Sequence, residues 1–487
     1  MFSYRNKISR LIFAALLASL MGRATAASEF SSYVVLGENG AAMARVLIDA
    51  PTCPAISFDN HASPMALRAG AATMPLRQEH AKSKESKASV FAVLSCEKLI
   101  PPGTTSAMVL GRALPIPKAT IKRIVVIGDT GCRLKKSSDS YQACNDADQY
   151  PFAQVAKAAA RWKPDLVVHV GDYEYRESAC PKGNAGCAGS SWGYGWDAWR
   201  DDFFSPAAAL LQAAPWVMAR GNHEICSRAG QGYWRFLDPR PLLAGRDCID
   251  PAFDDGGDFS DPYAVPIGND AQLLVIDSAA TDDKGFDARA PGLTHYRNDY
   301  RKLEALSQRT KYSFGVNHHP ILGFSATTKA DGSIKLRPGD LGLQQAFGAR
   351  DGAPNPMLLP ARINAMLSGH VHLWEQVSFA GDYPSQFITG FSGTEEESLP
   401  LPARLPPGSM PAPGAIVDHL STWGKGFGFM TMERSGFDEW KIKIWDQHGV
   451  LQNTCHLSGK KSRCKQMQVA TGADANPLLQ GDTSGPD

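Results

Sequence analysis

None of the ten cysteines is spaced C-x-x-C with another, which excludes the common thiolate metal knuckle. A large excess of either charge is missing too: 50 Lys and Arg face 49 Asp and Glu, leaving a formal charge of +1. Nucleic-acid binding draws on clustered cations, so the composition makes no claim on DNA or RNA. After the first two dozen residues no apolar run approaches the length of a membrane span. No internal repeat is evident, which removes solenoid architectures.

What the N-terminus does contain is a basic segment with Arg5, Lys7 and Arg10, then "LIFAALLASLMG", then small residues at Ala24–Ala26. This order predicts a cleavable secretory signal over residues 1–26. A retained membrane anchor is the competing reading, and the run is short for one. Removal of Arg5, Lys7, Arg10 and Arg23 takes the formal charge from +1 to −3. The mature chain is therefore expected outside the cytoplasm, secreted or periplasmic, with no stable membrane insertion. Ten cysteines in an exported chain point to disulfides. Pairing in sequence order is the simplest proposal: Cys53–Cys96, Cys132–Cys144, Cys180–Cys187, Cys226–Cys248 and Cys455–Cys464.

With 487 residues, more than one domain is expected. Residues 27–117 alternate short β-like runs ("SSYVVLG", "ARVLIDA", "SVFAVLSC") with Gly, Pro and Ser, which predicts a small all-β sandwich. A polar loop, "RQEHAKSKESKAS", interrupts it. From residue 118 to 452 the pattern changes to apolar runs that end in polar residues: "RIVVIGD", "DLVVHVGD", "PWVMARGNHE", "YSFGVNHHP" and "INAMLSGHVH". Between the first two, "PFAQVAKAAARWKP" reads as a helix bounded by prolines. Runs of this kind fit strands buried on both faces of an α/β fold. Their carboxyl ends are where such sheets place ligands. "GFGFMTMERSG" and "EWKIKIWDQHGV" are expected to close the domain as an antiparallel pair. Residues 453–487 read as a partly disordered tail.

Five strand ends carry oxygen or imidazole groups: Asp129; Asp172 with Tyr175; Asn222 with His223; His318 with His319; and His370 with His372. One such end is usually a cap, but five in one domain suggest a metal centre. The mixture of carboxylate, amide oxygen and imidazole suits Fe, Zn or Mn. Two ions would need a bridging carboxylate plus about three further ligands each. Asp172 can bridge. Asp129, Tyr175 and one GHVH histidine could serve one ion; Asn222, a histidine of NHHP and the other GHVH histidine could serve the second. In an extended "GHVH", alternation would turn His370 and His372 to the same side.

In that order, GDTG, GDYEY, GNHE, NHHP and GHVH resemble the motif set of the calcineurin-like metallophosphoesterases. The tyrosine three residues after Asp172 is similar to that of the purple acid phosphatase branch. The resemblance spans roughly residues 123–450 and implies a four-layer αββα sandwich, here after a small fibronectin-III-like β domain. It implies a ferric ion held by Asp129, Asp172, Tyr175 and His372. A divalent Fe, Zn or Mn would be held by Asp172, Asn222, His318 and His370, with His319 as the fallback for His318. Fe(III) is a hard Lewis acid able to bind a phenol as phenolate, and Tyr175 fills the place left by the absence of a histidine two residues after Asp129. His223 is implied as the group that contacts phosphate or protonates the leaving alcohol, with His319 as a second phosphate contact. The implied reaction is hydrolysis of a small phosphomonoester by a metal-activated hydroxide. Purple acid phosphatases commonly carry another substrate-contacting histidine soon after the NHHP motif, and residues 321–369 contain none. A phosphodiesterase or nucleotide pyrophosphatase with the same metal core is the alternative, and a metal-free binding module a third reading that the full ligand set opposes.

Other conspicuous residues have plainer expected roles. His169 reads as a core histidine and Asp277 as structural. Trp192, Trp196 and Trp199 read as packing, His295 as a loop residue. "GTEEES", Gly393 to Ser398, is similar to a loop that follows the last metal motif in bacterial relatives. Nothing in the sequence fixes an oligomeric state.

Overall fold

The computed structural model describes residues 30–76, 87–328, 334–350, 352–395, 401–402 and 405–465. The signal segment 1–26, most of the polar loop at 77–89 and residues 466–487 lie outside the described residues, as do the last three positions of "GTEEES".

Two large sheets dominate. One has seven strands, in the order Tyr263–Pro266, Ala271–Val275, Tyr312–Val316, Ile363–Ser368, Ser385–Thr389, Trp374–Phe379 and Val417–Trp423. The other has eleven, and at its middle Arg123–Ile127, Leu166–His169 and Trp216–Met218 run parallel. Successive strand residues point to opposite faces, and here both faces are apolar. Ile124, Val126, Val168 and Val217 meet Leu273, Val275, Phe314, Val316 and Leu367 of the facing sheet in one buried core. Val125, Ile127, Val167 and Trp216 turn the other way, against Phe152, Val155, Ala156 and Ala159 of the helix Phe152–Arg161. On the far face of the second sheet, Leu274 and Met366 pack under Leu293, Tyr296 and Leu303 of the helix Pro291–Ser307. The result is the four-layer αββα sandwich. Each fully buried Val or Leu in it contributes about 1.5–3 kcal/mol.

The N-terminal all-β region, over strands from Phe30 to Leu114, keeps a sandwich of its own but is not detached. Its first strand, Phe30–Leu36, adds in parallel to Trp216–Met218 and extends the eleven-stranded sheet outward through Ala42–Ile48, Leu94–Leu99 and Ala66–Ala69. Arg45 secures the junction: wholly buried, it donates to the carbonyls of Phe236 (2.6 Å) and Asp238 (3.1 Å) and pairs with Glu97 at 2.8 Å.

The other end of the chain differs from expectation. Leu451–Ser458 and Lys461–Cys464 form the outer strands of the eleven-stranded sheet, so residues 453–464 belong to the catalytic fold and not to a tail. Asn453, Cys455 and Leu457 are buried while their neighbours are more open, a half-buried edge whose polar alternation reads as loop. The preceding pair, Gly428–Arg434 with Glu439–Asp446, is antiparallel as expected.

All five disulfides join cysteines in sequence order. Cys226–Cys248 closes a loop of sequence separation 22 directly after GNHE, with both sulfurs buried. Replacing both with serine should lower stability by about 3 kcal/mol. Denaturant unfolding without reductant is the measurement, and an unchanged midpoint would contradict this role.

Candidate metal centre

In each sheet the strands that precede the five motifs run parallel to one another, so their carboxyl ends emerge together at one edge of the sandwich. The turns after them are tight. Asp129, Asp172 and His370 adopt positive φ, at 54°, 60° and 71°, a region that ordinary residues occupy at a cost of roughly 1–3 kcal/mol and that clusters at functional sites. At His370 this corrects the sequence reading: residues 370–373 are bends, not extended strand. The two GHVH histidines face the cluster because the backbone turns there, not through alternation. Glycine is demanded where the loops touch. A Cβ on Gly221 would overlap the Asp172 carboxylate, and one on Gly171, itself at φ 101°, would stand 2.7 Å from His318 Nδ1.

The turns bring all seven candidate ligands together. Tyr175 Oη lies 2.9 Å from Asp129 Oδ1, 2.7 Å from Asp172 Oδ2 and 3.0 Å from His372 Nε2. His318 Nε2 is 3.1 Å from both Asp172 Oδ2 and Asn222 Oδ1. His370 Nδ1 is 3.2 Å from Asn222 Oδ1, and His372 Nε2 is 3.3 Å from Asp129 Oδ1. All are buried or nearly so.

Proton counting shows what this cluster fits. The carbonyl of Val170 can only accept, so its 2.9 Å contact makes His318 Nδ1 a donor and aims Nε2 into the cluster. Burial opposes a charge on this ring, but the Asp172 carboxylate beside it outweighs burial and pushes the imidazole up to about 9. The Glu395 carbonyl, at 2.9 Å from His372 Nδ1, likewise turns Nε2 of that ring to the cluster, and Arg133 also reaches Nδ1 at 3.4 Å. Nε2 of His318 faces a carboxylate and an amide oxygen. The single phenolic proton of Tyr175 faces three acceptors. Burial, followed by the Asp129 and Asp172 carboxylates, pushes the Tyr175 phenol well above its ordinary pKa. Carboxylates, a phenol, an amide oxygen and imidazoles converge in one buried place, an arrangement that bound cations would satisfy. The donor set of carboxylate, phenol, amide oxygen and imidazole fits hard or borderline metal ions. Asp129, Asp172 and His318 present ligand atoms within 4.8 Å of one another, as do His318, His319 and His370.

His319 is the neighbour that does not join the oxygen cluster. Its Nδ1 lies 3.3 Å from Ser278 Oγ, and its ring stands 4.3 Å from that of His370, on the wall of a cavity. His223 stacks on Tyr175 at 3.8 Å and sets Nε2 3.9 Å from Asp172 Oδ2. Its Nδ1 sits among the Glu174 carbonyl (3.0 Å), Arg228 (2.5 Å) and Glu177 (3.4 Å). His169 contacts Thr130 Oγ1 at 3.0 Å through Nε2, accepts from Gly171 N–H through Nδ1 and stacks on Tyr173; burial holds its pKa well down. Asp277 pairs with buried Arg220 at 2.8 Å. Trp199 is buried and Trp196 packs against the same core, whereas Trp192 lies under Lys87. His295 is helical, not in a loop, and stacks on Phe259.

Two carboxylates escaped sequence reasoning. Glu224, fully buried, accepts from the backbone N–H groups of Asp172, Tyr173 and Gly221 at 3.1, 2.8 and 3.1 Å, tying two motif loops together. Burial, then the nearby Asp172 charge, pushes its carboxyl up to about 8. Its place as the last letter of GNHE was the available signal. Asp202 accepts from Cys132 and Tyr175 N–H at 3.0 and 2.8 Å and pairs with Arg176; nothing in "WRDDFF" marks it. The described part of "GTEEES" also has a task. Thr394 bonds the Asp129 and Gly131 carbonyls, and Glu395 orients His372.

The profile of the calcineurin-like phosphoesterase family matches residues 122–373, just over half of the chain. The protein belongs to that family. It is accordingly a metal-dependent phosphoesterase, a hydrolase. Among solved structures, a purple acid phosphatase isolated from yellow lupin (Lupinus luteus) seeds superimposes with a TM-score of 0.52 at 12% identity, over 88% of this chain and 74% of that one. PhoD matches with a TM-score of 0.47 at 10% identity, over 91% and 92%. A dimetal phosphatase from Danio rerio matches with 0.36 at 10% identity, over 70% and 99%. At these identities the likeness concerns the fold, and the lupin superposition carries it. No curated protein matches the sequence. Among the described residues no helix is long and apolar enough to cross a membrane.

Gly221→Ala is expected to displace Asp172 and lower turnover on the order of 10²-fold, the size of effect a shift near 1 Å at a reacting centre produces. Far-UV circular dichroism should stay unchanged. Wild-type turnover in this variant would show that the two loops need not touch.

Proposed function

We propose that the protein is an exported phosphomonoesterase with a ferric and a divalent ion. Asp129, Asp172, Tyr175 and His372 would hold the ferric ion. Asp172, Asn222, His318 and His370 would hold divalent Fe, Zn or Mn, with Asp172 shared. The observation that carries the reading is the phenol: Tyr175 stands among two carboxylates and an imidazole nitrogen, where a hard cation is the natural partner. The five disulfides and the apolar N-terminal run favour an oxidising compartment.

When bound, such ions polarise phosphoryl oxygens and bring the pKa of a water towards neutrality. The chain supplies the rest. Asp172 takes the His223 amide N–H on Oδ1 (2.9 Å), and Asp129 takes the His370 amide N–H on Oδ2 (3.1 Å). Each carboxylate is thereby fixed with its other oxygen in the cluster. The burial of the cluster excludes bulk water. His223 Nε2, with no hydrogen-bond partner among the described residues, faces the cluster beside Asp172 at 3.9 Å. It can hold a phosphoryl oxygen or give a proton to the alcohol oxygen as water adds to phosphorus and the ester P–O bond breaks. His319 lines the adjoining cavity, where it can contact the phosphate or its leaving group.

Metal analysis of the purified protein is expected to find iron with a second metal, and the solution should show a visible charge-transfer band that Tyr175→Phe abolishes. An iron-loaded but colourless wild type would take Tyr175 out of the ligand set. His223→Ala should cut turnover of p-nitrophenyl phosphate by roughly 10²–10⁴-fold with metal content retained; loss of metal as well would make His223 a ligand or a structural residue. Faster hydrolysis of bis(p-nitrophenyl) phosphate or of ATP than of the monoester would move the assignment to a diesterase or pyrophosphatase.

A further inference from the structure

A cavity of about 330 Å³ opens from the candidate metal centre, with His319, His370 and Val371 on its inner wall. This lies near the lower end of the roughly 300–1,000 Å³ typical of small-molecule sites. Its outer wall is cationic: Lys284 from the loop after Asp277, and Lys335 and Arg337 from the strand Ile334–Arg337. Two carboxylates also line it. Asp283 lies 3.6 Å from Arg337. Asp340 is nine-tenths buried, spends Oδ1 on the Leu343 N–H and the Thr281 hydroxyl, and is pushed by burial up to about 6. Three permanent cations thus face two carboxylates, an excess of positive charge even with Arg337 in contact with Asp283. For a substrate whose scissile phosphate sits at the histidines, these cations surround the leaving group.

We propose that this cavity binds a second phosphate on the leaving group, so that the preferred substrates are bisphosphorylated small molecules cleaved one ester at a time. The inference rests on the phosphomonoesterase reading and narrows its substrate class. Lys335 and Arg337 act on binding rather than on the reacting bond. Arg337 offers a planar fork suited to phosphate, at the cost of its long contact to Asp283. Since Lys284 and Lys335 are exposed, their attraction is screened by salt.

The test compares kcat/KM of the metal-loaded enzyme for glucose 6-phosphate and glucose 1,6-bisphosphate. The bisphosphate should be favoured about tenfold, as expected of a few partly exposed charge pairs. The preference should shrink as ionic strength rises. In the Lys335→Ala/Arg337→Ala double variant the ratio should fall to the statistical advantage of carrying two phosphates, and Lys335→Arg should keep most of it. A misfolded fraction lowers both rates alike and leaves the ratio untouched. Equal efficiency in the wild type, or a preference that survives in the double variant, overturns the second-phosphate site. Failure to hydrolyse either ester or p-nitrophenyl phosphate overturns the phosphomonoesterase reading itself.

Discussion

The convergence of buried oxygen and nitrogen ligand atoms around Asp172 is the constraint on which the rest of the molecule depends. Tyr175 Oη and His318 Nε2 lie 2.7 and 3.1 Å from Asp172 Oδ2, and burial denies the group water. Left alone, such a group would relax apart or bind protons. It is held because every member is anchored from behind. Backbone amides grip the outer carboxylate oxygens, and backbone carbonyls grip the outer imidazole nitrogens. Glu224 bridges the amides of two loops. The fold keeps these anchors in place by ending parallel strands of two sheets at the same edge.

The sheets can do this because each central strand is apolar on both faces. One face of Arg123–Ile127 fuses with the opposing sheet and the other with the helix Phe152–Arg161. A strand packed on one side only could shift register or tilt, and a shift by one residue would turn its terminal Gly-Asp away from the site. The N-terminal β region adds to this rigidity. Continuing the eleven-stranded sheet past Trp216–Met218, it covers an edge that would otherwise expose unpaired backbone beside the GNHE loop. Buried Arg45 and Tyr33, both bonded to the Phe236 carbonyl, lock that addition.

Much of the site was legible in the sequence because its residues follow apolar runs directly and carry glycine beside them. Gly128, Gly171, Gly221 and Gly369 mark the turns, and the polar letter after each is the candidate ligand. His318 and Tyr175 were readable through spacing within the motif set. The anchors were not. Asp202 lies 27 residues from the tyrosine amide it accepts from, and such a contact leaves no local pattern. The same holds for the continuity between the N-terminal β region and the catalytic sheet, which depends on one parallel pairing between residues far apart in sequence. Alternation misled at GHVH because the left-handed turn at His370 breaks the extended geometry that alternation assumes. It was overlooked at residues 451–464 because a half-buried edge strand with Asn453 inside resembles a polar loop.

The site and the cavity beside it divide the work by rigidity. The candidate ligand cluster is buried, anchored from behind and backed by left-handed turns, so its groups would pay little reorganisation when charge develops at phosphorus. Lys284 and Lys335, by contrast, are long, exposed side chains that can follow leaving groups of different shape. Contacts that such residues make are nearly the same before and during bond cleavage, so they change which molecule is captured more than how fast the bond breaks. Chemistry fixed by the sheet edge and selection left to an adaptable wall would let one rigid centre be retuned for new substrates by substitutions around Ile334–Arg337, without disturbing the turns that hold Asp172.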